Sequence, residues 1–240
     1  MIRIVILLGL FLTNNTLIQA KEIILNTTGN PPLNTPQVSG FMDLVAKEAF
    51  QRIGYSLKTV KLPAERGLKN ANTGLVDGEM SRIKGLDKLY TNLIQVPEKI
   101  MDWEFVAFSN GTIKLEAGWL GLSRFSVSFI NGWKILENNV PNDTEVTKVK
   151  NLQQLFTILN RKRTDIILYE RWGGLLYALK NHPHKSIKLH YPPLAKREMF
   201  IYLHKKHLKL ISKLKKSLSG MKQDGSYNAL VKKILMPLEH

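Results

Sequence analysis

The sequence predicts an α/β protein made of two units of similar size, each a mainly parallel sheet flanked by helices. Apolar strands alternate with amphipathic helices as β-α-β-α-β over residues 22–80, and a second alternating run covers residues 125–204. Alternation of this kind is typical of parallel sheets covered by helices. Hydrophobic residues make up 44% of the 240 residues, which is enough for packed cores.

The first twenty residues, MIRIVILLGLFLTNNTLIQA, have the features of a secretory signal peptide. Arg3 precedes the apolar run Ile4–Leu12, which is far shorter than the roughly 20 residues that span a bilayer. We therefore predict cleavage after Ala20 and a periplasmic mature protein beginning near Lys21. An uncleaved membrane anchor is the alternative. At the other end, Leu238–His240 resembles a cloning scar.

In the first unit, we predict strands at Glu22–Asn26, Ser56–Val60 and Leu75–Met80, and helices beginning near Phe41 and Pro63. Ser39 can cap the first helix, and Gly54 can end it. Pro63 suits the first turn of the second helix because proline has no amide hydrogen to leave unpaired there. Gly74 ends that helix.

In the second unit, the same patterns predict strands at Phe125–Ile130, Thr144–Val149, Asp165–Tyr169 and Met199–His204, and helices at Trp133–Asn138, Asn151–Lys162 and Trp172–Lys180. A last helix is expected near Tyr227–Leu235. Trp103 and Trp119 are assigned to packing. No internal repeat is apparent.

The formal net charge of +16 favours anionic partners in general. Much of the excess lies in HKKHLKLISKLKK, where Leu208, Ile211 and Leu214 fall at helical spacing. This spacing predicts a helix with lysines facing water and leucines facing a core. Because no aromatic side chains interleave with these cations, nucleic acid is not an expected partner. The chain has no cysteine, which excludes disulfides and thiolate chemistry.

Several stretches are characteristic together: TTGNPP after the first strand, the helix GFMDLVAKEAFQRIGY, LPAERGL, ANTGLVDGEMSR and RTDIILYE. They resemble the bacterial family 3 solute-binding proteins, which are type II periplasmic binding proteins of polar amino acid transport systems. The resemblance covers nearly all of the mature chain. It implies two α/β lobes joined by two hinge strands, with lobe 1 at residues 21–108 plus 199–237 and lobe 2 at residues 109–197.

In the first lobe, ligand contacts are expected where strands end beside helix N-termini. Thr28 follows the first strand, Glu79 and Arg82 are at the end of the predicted third strand, and Arg66 lies in the first turn of a helix. In one interpretation, Arg82 binds an anionic ligand group, with Arg66 beside it and Glu79 orienting one of the two arginines. In the other, Arg66 forms a structural bridge with Glu65 or Glu79.

In the second lobe, the segment INGW resembles a strand-to-helix turn whose amides bind an anion, so Gly132 and Trp133 are candidate ligand contacts. Trp133 is equally consistent with packing. The segment YERW supplies Tyr169 and Glu170 as candidate pocket residues. Glu170 stands five residues after Asp165, a spacing at which the family often has the acidic residue that pairs with the ligand ammonium.

The sequence contains no G-x-S-x-G, no H-E-x-x-H and no phosphate-binding glycine loop, so we predict no catalytic residue and no cofactor. His182 and His184 have no evident third ligand, and no metal is expected. We predict a monomeric periplasmic protein that captures a small polar solute, amino-acid-like or anionic, between its lobes. A membrane permease or a sensor is the expected partner. The alternative is a periplasmic enzyme or signalling domain on the same fold.

Overall fold

The computed structural model describes residues 21–111, 113–116, 118–183 and 187–239. The predicted signal peptide, His184 and His240 lie outside these residues. In the described ranges, strands β1 to β8 form one sheet in the order β2-β1-β3-β8-β4-β7-β5-β6. The strands are β1 Lys21–Thr27, β2 Tyr55–Lys61, β3 Gly78–Ile83, β4 Leu93–Asn110, β5 Ser126–Ile130, β6 Glu145–Val149, β7 Ile166–Glu170 and β8 Ile187–His204. The helices are α1 Phe41–Gln51, α2 Ala64–Thr73, α3 Lys134–Glu137, α4 Leu152–Asn160, α5 Arg171–Asn181, α6 Leu208–Gln223 and α7 Ser226–Leu230.

The β-α-β-α-β order predicted for the first unit is confirmed. Strand β1 lies between β2 and β3 and runs parallel to both. Helix α1 begins after Gly40, whose N–H donates to the Asp43 carboxylate, and not after the predicted cap Ser39. Pro63 directly precedes α2, and Gly74 ends that helix at φ +80°, in the left-handed region that favours glycine.

The third strand begins later than predicted, at Gly78 instead of Leu75. The chain first leaves α2 through a turn in which the N–H of Leu75 donates to the Asn70 carbonyl. Asp77 precedes the strand, and its side-chain carboxylate accepts the backbone N–H of Ile24 in β1 at 2.8 Å. Glu79 and Arg82 therefore both lie within β3, whereas the predicted strand ended at Met80, before Arg82.

The two longest strands, β4 and β8, have 18 residues each and pair antiparallel from one half of the sheet to the other. They occupy the place of the two hinge strands implied by the resemblance. The pairing along β4 shifts register between Lys99 and Met101 and again between Phe105 and Ala107. Strand β4 begins to pair with β7 at Phe105. The lobe boundaries predicted from the sequence stay a prediction.

Each half of the sheet has apolar cores of its own. In the first half, helices α1 and α6 cover one face and α2 covers the other, with Phe41, Phe50, Met80, Leu214 and, across the sheet, Leu68, Ala71 and Tyr202 fully or nearly buried. In the second half, the two faces are filled by Val127, Phe129, Leu136 and Ile166 and by Phe108, Leu155, Phe156 and Ile167. Separate cores are what a two-lobed architecture requires.

The lysine-rich segment forms α6, as predicted, but its buried face differs from the prediction. Leu214 is buried, whereas Leu208, at the first position of the helix, is 62% exposed. Leu210, Leu218 and Met221 complete the buried face. Leu208 is two residues before Leu210, about 200° around the helix, and therefore points away from this face. None of the helices in the described part of the chain is long and apolar enough to cross a membrane.

Candidate functional site

A cavity of about 250 Å³ lies between the two halves of the molecule. The first half contributes the loop after β1, and the second half contributes the ends of β5 and β7 and the start of α5. Strand β4 adds one tryptophan. The lining residues are Thr28, Gly29, Asn30, Pro31, Leu33, Trp103, Trp133, Tyr169, Glu170 and Gly173. Carboxyl ends of parallel strands meet here, as they do at the ligand sites of open α/β sheets.

A larger groove of about 370 Å³ is a weaker candidate. It lies on the outer face of the first half, between α1 and α7, and is lined by Leu44, Lys47, Glu48, Gln51, Ser226, Ala229 and Leu230. No aromatic ring and no residue of the second half is among these described lining residues. The cavity between the halves is therefore the candidate binding site.

One wall of the cavity is aromatic. The ring of Trp133 stacks on Tyr169 with centroids 4.7 Å apart, and Phe105 meets Trp133 edge-on at 5.8 Å. Such aromatic pairs contribute about 0.5–1.5 kcal/mol beyond the area that they bury. Trp133 lies three residues after the end of β5 and directly before α3, so the strand-to-helix turn places its ring in the wall. Both rings are held in place before any solute arrives.

A side-chain bridge joins the halves across the cavity. The Asn30 side chain lies beside the hydroxyl of Tyr169 and acts to lower its pKa, and Lys61 Nζ donates to Asn30 Oδ1 at 2.6 Å. Burial, and then the nearby Glu170 carboxyl, raise the pKa of Tyr169 to about 12, so its hydroxyl stays protonated at physiological pH. The loop after β1 and strand β7 therefore meet at a polar contact.

Glu170 places a carboxyl group in the cavity wall with only 5% of the residue exposed. Its two oxygens accept the backbone N–H groups of Trp172, at 3.0 Å, and Gly173, at 2.8 Å, and so cap α5. Burial raises the pKa of Glu170 to about 7, although these two N–H bonds and the nearby Arg171 act to lower it, and Glu104 adds a small upward effect. In the described ranges, no Lys, Arg or His forms an ion pair with Glu170.

The raised pKa of Glu170 predicts a pH dependence of stability. The folded chain holds this proton more tightly than the unfolded chain, so the stabilisation is complete below about pH 4.5 and is lost as the pH rises through 7. The expected loss is up to roughly 3 kcal/mol in the free energy of unfolding. Urea denaturation at pH 5 and pH 8 measures it. Glu170→Gln, which cannot ionise, should show a smaller difference between the two pH values; an unchanged difference would contradict the assignment.

The pair Glu79–Arg82 lies outside the cavity. Arg82 Nε donates to Glu79 Oε2 at 2.8 Å, Arg82 Nη2 lies 2.7 Å from the same oxygen, and Nη2 also donates to the Ala64 carbonyl at 3.2 Å. The other carboxylate oxygen, Oε1, accepts from Asn26 Nδ2 at 2.8 Å. Burial raises the pKa of Glu79, while Arg82 and Asn26 act to lower it. The guanidinium is thus held by a carboxylate of the protein itself.

Arg66 and Gly132 also lie outside the cavity lining. Arg66 is exposed and forms no ion pair in the part of the chain that the structure describes. The bridge from Arg66 to Glu65 or Glu79, which the sequence left open, is not formed: Glu65 lies near Lys69, at 3.6 Å. The N–H of Gly132 donates to Glu137 Oε1 at 3.1 Å.

Of the residues predicted from the sequence, the cavity brings together Thr28, Trp133, Tyr169 and Glu170. Arg66, Glu79, Arg82 and Gly132 are not in its lining, and their contact with a ligand stays a prediction. Sequence reasoning missed Asn30, Gly173 and the wall position of Trp103. The TTGNPP stretch that carried the family resemblance contains Asn30, so the loop itself was the available signal.

The sheet topology, the two strands that cross it and the cavity between its halves define the two-lobed fold of the type II periplasmic binding proteins. The ligand-binding core of GluR0 in complex with L-glutamate is similar, with a TM-score of 0.75 and 14% identity over 90% of this chain and 99% of that one. The ancestral amino acid-binding protein AncCDT-1, a precursor of cyclohexadienyl dehydratase, has a TM-score of 0.68 and 15% identity over 89% and 95% of the two chains.

In sequence, an uncharacterized protein of Shewanella oneidensis is 27% identical over 245 residues, covering 92% of this chain and 90% of that protein. No family model matches the sequence. The predicted two-lobed α/β fold is confirmed, and the resemblance to the family 3 solute-binding proteins holds at the level of the fold.

Proposed function

We propose that the protein captures a small polar solute, of about the size of an amino acid, between its two halves, in the periplasm, for delivery to an ABC-type membrane permease. The observation that carries this proposal is the cavity of about 250 Å³, which takes its lining from both halves. The similar solved structures include amino-acid-binding proteins, which supports a solute of this class.

Capture works by a shift between open and closed forms. A solute that contacts both halves at once binds the closed form better, and it shifts the population by that difference in affinity. The loop after β1 and strand β7 already meet through the contact of Asn30 with Tyr169. Gly173 lies close to the same place: a Cβ there would stand 3.1 Å from the Tyr169 ring and 3.2 Å from Glu170 Oε2.

The direct test is to find the solute. Mass spectrometry of material that co-purifies with the protein, followed by titration calorimetry with each identified compound and a panel of amino acids, amines and organic acids, should yield at least one solute that binds at micromolar concentration. Small-angle scattering should show compaction with that solute. If no compound binds and none causes compaction, the proposed function is wrong.

Trp133→Ala should weaken solute binding by at least tenfold, because it removes one ring of the aromatic wall. Trp119→Ala is the matched control. Trp119 is also half-buried against the core of the second half, but it does not line the cavity. Both variants should lose stability, and calorimetry should separate them by affinity. Equal weakening of binding would show that the loss reflects stability and not the wall.

A second candidate function is an enzyme on the same fold. The observation that favours it is the carboxyl of Glu170, whose pKa of about 7 suits a general acid or base at neutral pH. One of the similar structures is described as a precursor of a dehydratase. Incubation of the bound solute with the protein, followed by NMR, distinguishes the two functions: an unchanged solute supports binding alone, and a product supports the enzyme.

A further inference from the structure

Three features of this fold that could bind an anionic ligand group are each occupied by a carboxylate of the chain itself. The guanidinium of Arg82 is held by Glu79, the turn amide of Gly132 by Glu137, and the first amides of α5 by Glu170. The first two, Arg82 and the turn at Gly132, are features that made an anionic solute an expectation from the sequence. None of the three is left open to a ligand carboxylate.

The occupation of Arg82 is the most complete. Glu79 is 1% exposed and accepts from Arg82 through both Nε and Nη2. Glu79 could release the guanidinium to a ligand only by leaving a buried carboxylate without its cation, which is strongly unfavourable. A solute carboxylate would therefore compete with an internal partner that is already desolvated and correctly placed.

In the second half, both sets of amides are also taken. An anion at a helix N-terminus is held by N–H groups that lack an intrahelical partner. At α5 the two N–H groups that line up with the cavity, those of Trp172 and Gly173, donate to Glu170. At the turn before α3, Glu137 takes the Gly132 N–H and is itself bound by Lys134 at 2.6 Å and Lys148 at 3.2 Å.

The charge of the cavity wall has the opposite sign. Among the described lining residues, the charged side chain is Glu170, and its sequence neighbour Arg171 pairs with Glu104 and Glu239 instead. The rest of the wall is aromatic, apolar or neutral polar, including Trp103, Trp133 and Tyr169. A buried carboxyl group without an ion-pair partner, next to the faces of aromatic rings, is complementary to an organic cation.

We propose, resting on the solute-binding function above, that the solute is a small organic amine that carries no carboxylate. Its ammonium group pairs with the Glu170 carboxylate and so provides the cationic partner that this carboxylate lacks within the protein. Its alkyl or aryl body packs on Trp133 and Trp103. A cation is attracted to the faces of such rings, most strongly where water is excluded. Burial raises the pKa of Glu170, whereas an ammonium partner would lower that pKa.

Matched pairs of compounds that differ by one carboxylate test this inference directly. Titration calorimetry with tyramine and tyrosine, agmatine and arginine, and putrescine and ornithine should show, for the pair that binds best, an amine at least tenfold tighter than its amino acid. A tighter amino acid overturns the inference and leaves the proposed function standing. If every amine of the panel fails while another solute binds, the inference alone is wrong, and if nothing binds, both are wrong.

Two variants locate the contact. Glu170→Gln should weaken amine binding at least tenfold, since it removes the carboxylate charge at nearly constant volume, and circular dichroism verifies that the variant is folded. Glu137→Gln is the control carboxylate, because Glu137 is bonded to Gly132 outside the cavity, and it should leave amine affinity within about twofold. If the two variants weaken amine binding equally, or if folded Glu170→Gln binds the amine as the parent does, the assignment of the ammonium to Glu170 is wrong.

Discussion

Arg82→Ala is expected to lower the free energy of unfolding by about 3–5 kcal/mol, because it breaks a buried ion pair and leaves one partner behind. Glu79, at 1% exposure, would keep Asn26 as a hydrogen-bond donor but lose its cation. Urea denaturation at pH 7 measures the loss. The loss should shrink at low pH, because a protonated Glu79 no longer needs a cation.

Arg66→Ala is the matched control for this experiment. Arg66 is an arginine of the same helix–strand unit, exposed and without an ion pair in the described ranges, so its removal should change stability by no more than about 0.5 kcal/mol. The same two variants test the role predicted from the sequence. If Arg82→Ala melts as the parent does and loses solute binding, Arg82 is a ligand contact and the structural interpretation fails.

Gly174→Ala should be strongly destabilising. Gly174 is in α5, and a Cβ on it would stand 2.4 Å from two ring carbons of Phe108, a residue that is fully buried. Because Phe108 has no free space to move into, we expect a loss of about 1–3 kcal/mol or more from overpacking. A thermal melt should show a fall in Tm of several degrees.

Gly220→Ala provides the same change in a helix with free space. A Cβ on Gly220, in α6, would have no neighbour closer than an Arg52 nitrogen at 4.0 Å. Alanine is the better helix former, so this variant should gain about 0.5–1 kcal/mol. Opposite signs for the two substitutions would confirm the packing at Gly174. A similar gain at both positions would show that the contact of α5 with Phe108 is looser than described.

The sequence predicted the first half of the fold well because its signals are local. Helix α2 begins after Pro63 and ends at Gly74, and the conformational preferences of these single residues fix both positions. Strand β4 was not predicted, since its burial does not alternate regularly: its first part lies in one half of the molecule and its last part in the other. Such a strand has no single period for a pattern to detect.

At the candidate site, the sequence predicted the aromatic and acidic residues better than the cations. Trp133, Tyr169 and Glu170 stand directly at the ends of strands, and strand order alone brings these ends together. Whether an arginine faces a ligand or an internal carboxylate depends on side-chain geometry across a β-bulge, as with Arg82 and Glu79. Residue spacing carries no information on that choice.

The register shifts in β4 bear on how the molecule would open in the proposed capture of a solute. Between them, Met101–Phe105 pairs without interruption with Ala195–Met199, whereas the ladder is broken on both sides. Bending concentrates where backbone hydrogen bonds are missing. The paired segment Met101–Phe105 would therefore move as a rigid unit, with a flexible point at each end instead of a single hinge. Trp103 lies in this rigid segment. Trp103 would keep its position while the two halves of the molecule move. It would thus offer a solute one fixed contact surface before the rest of the site closes around it.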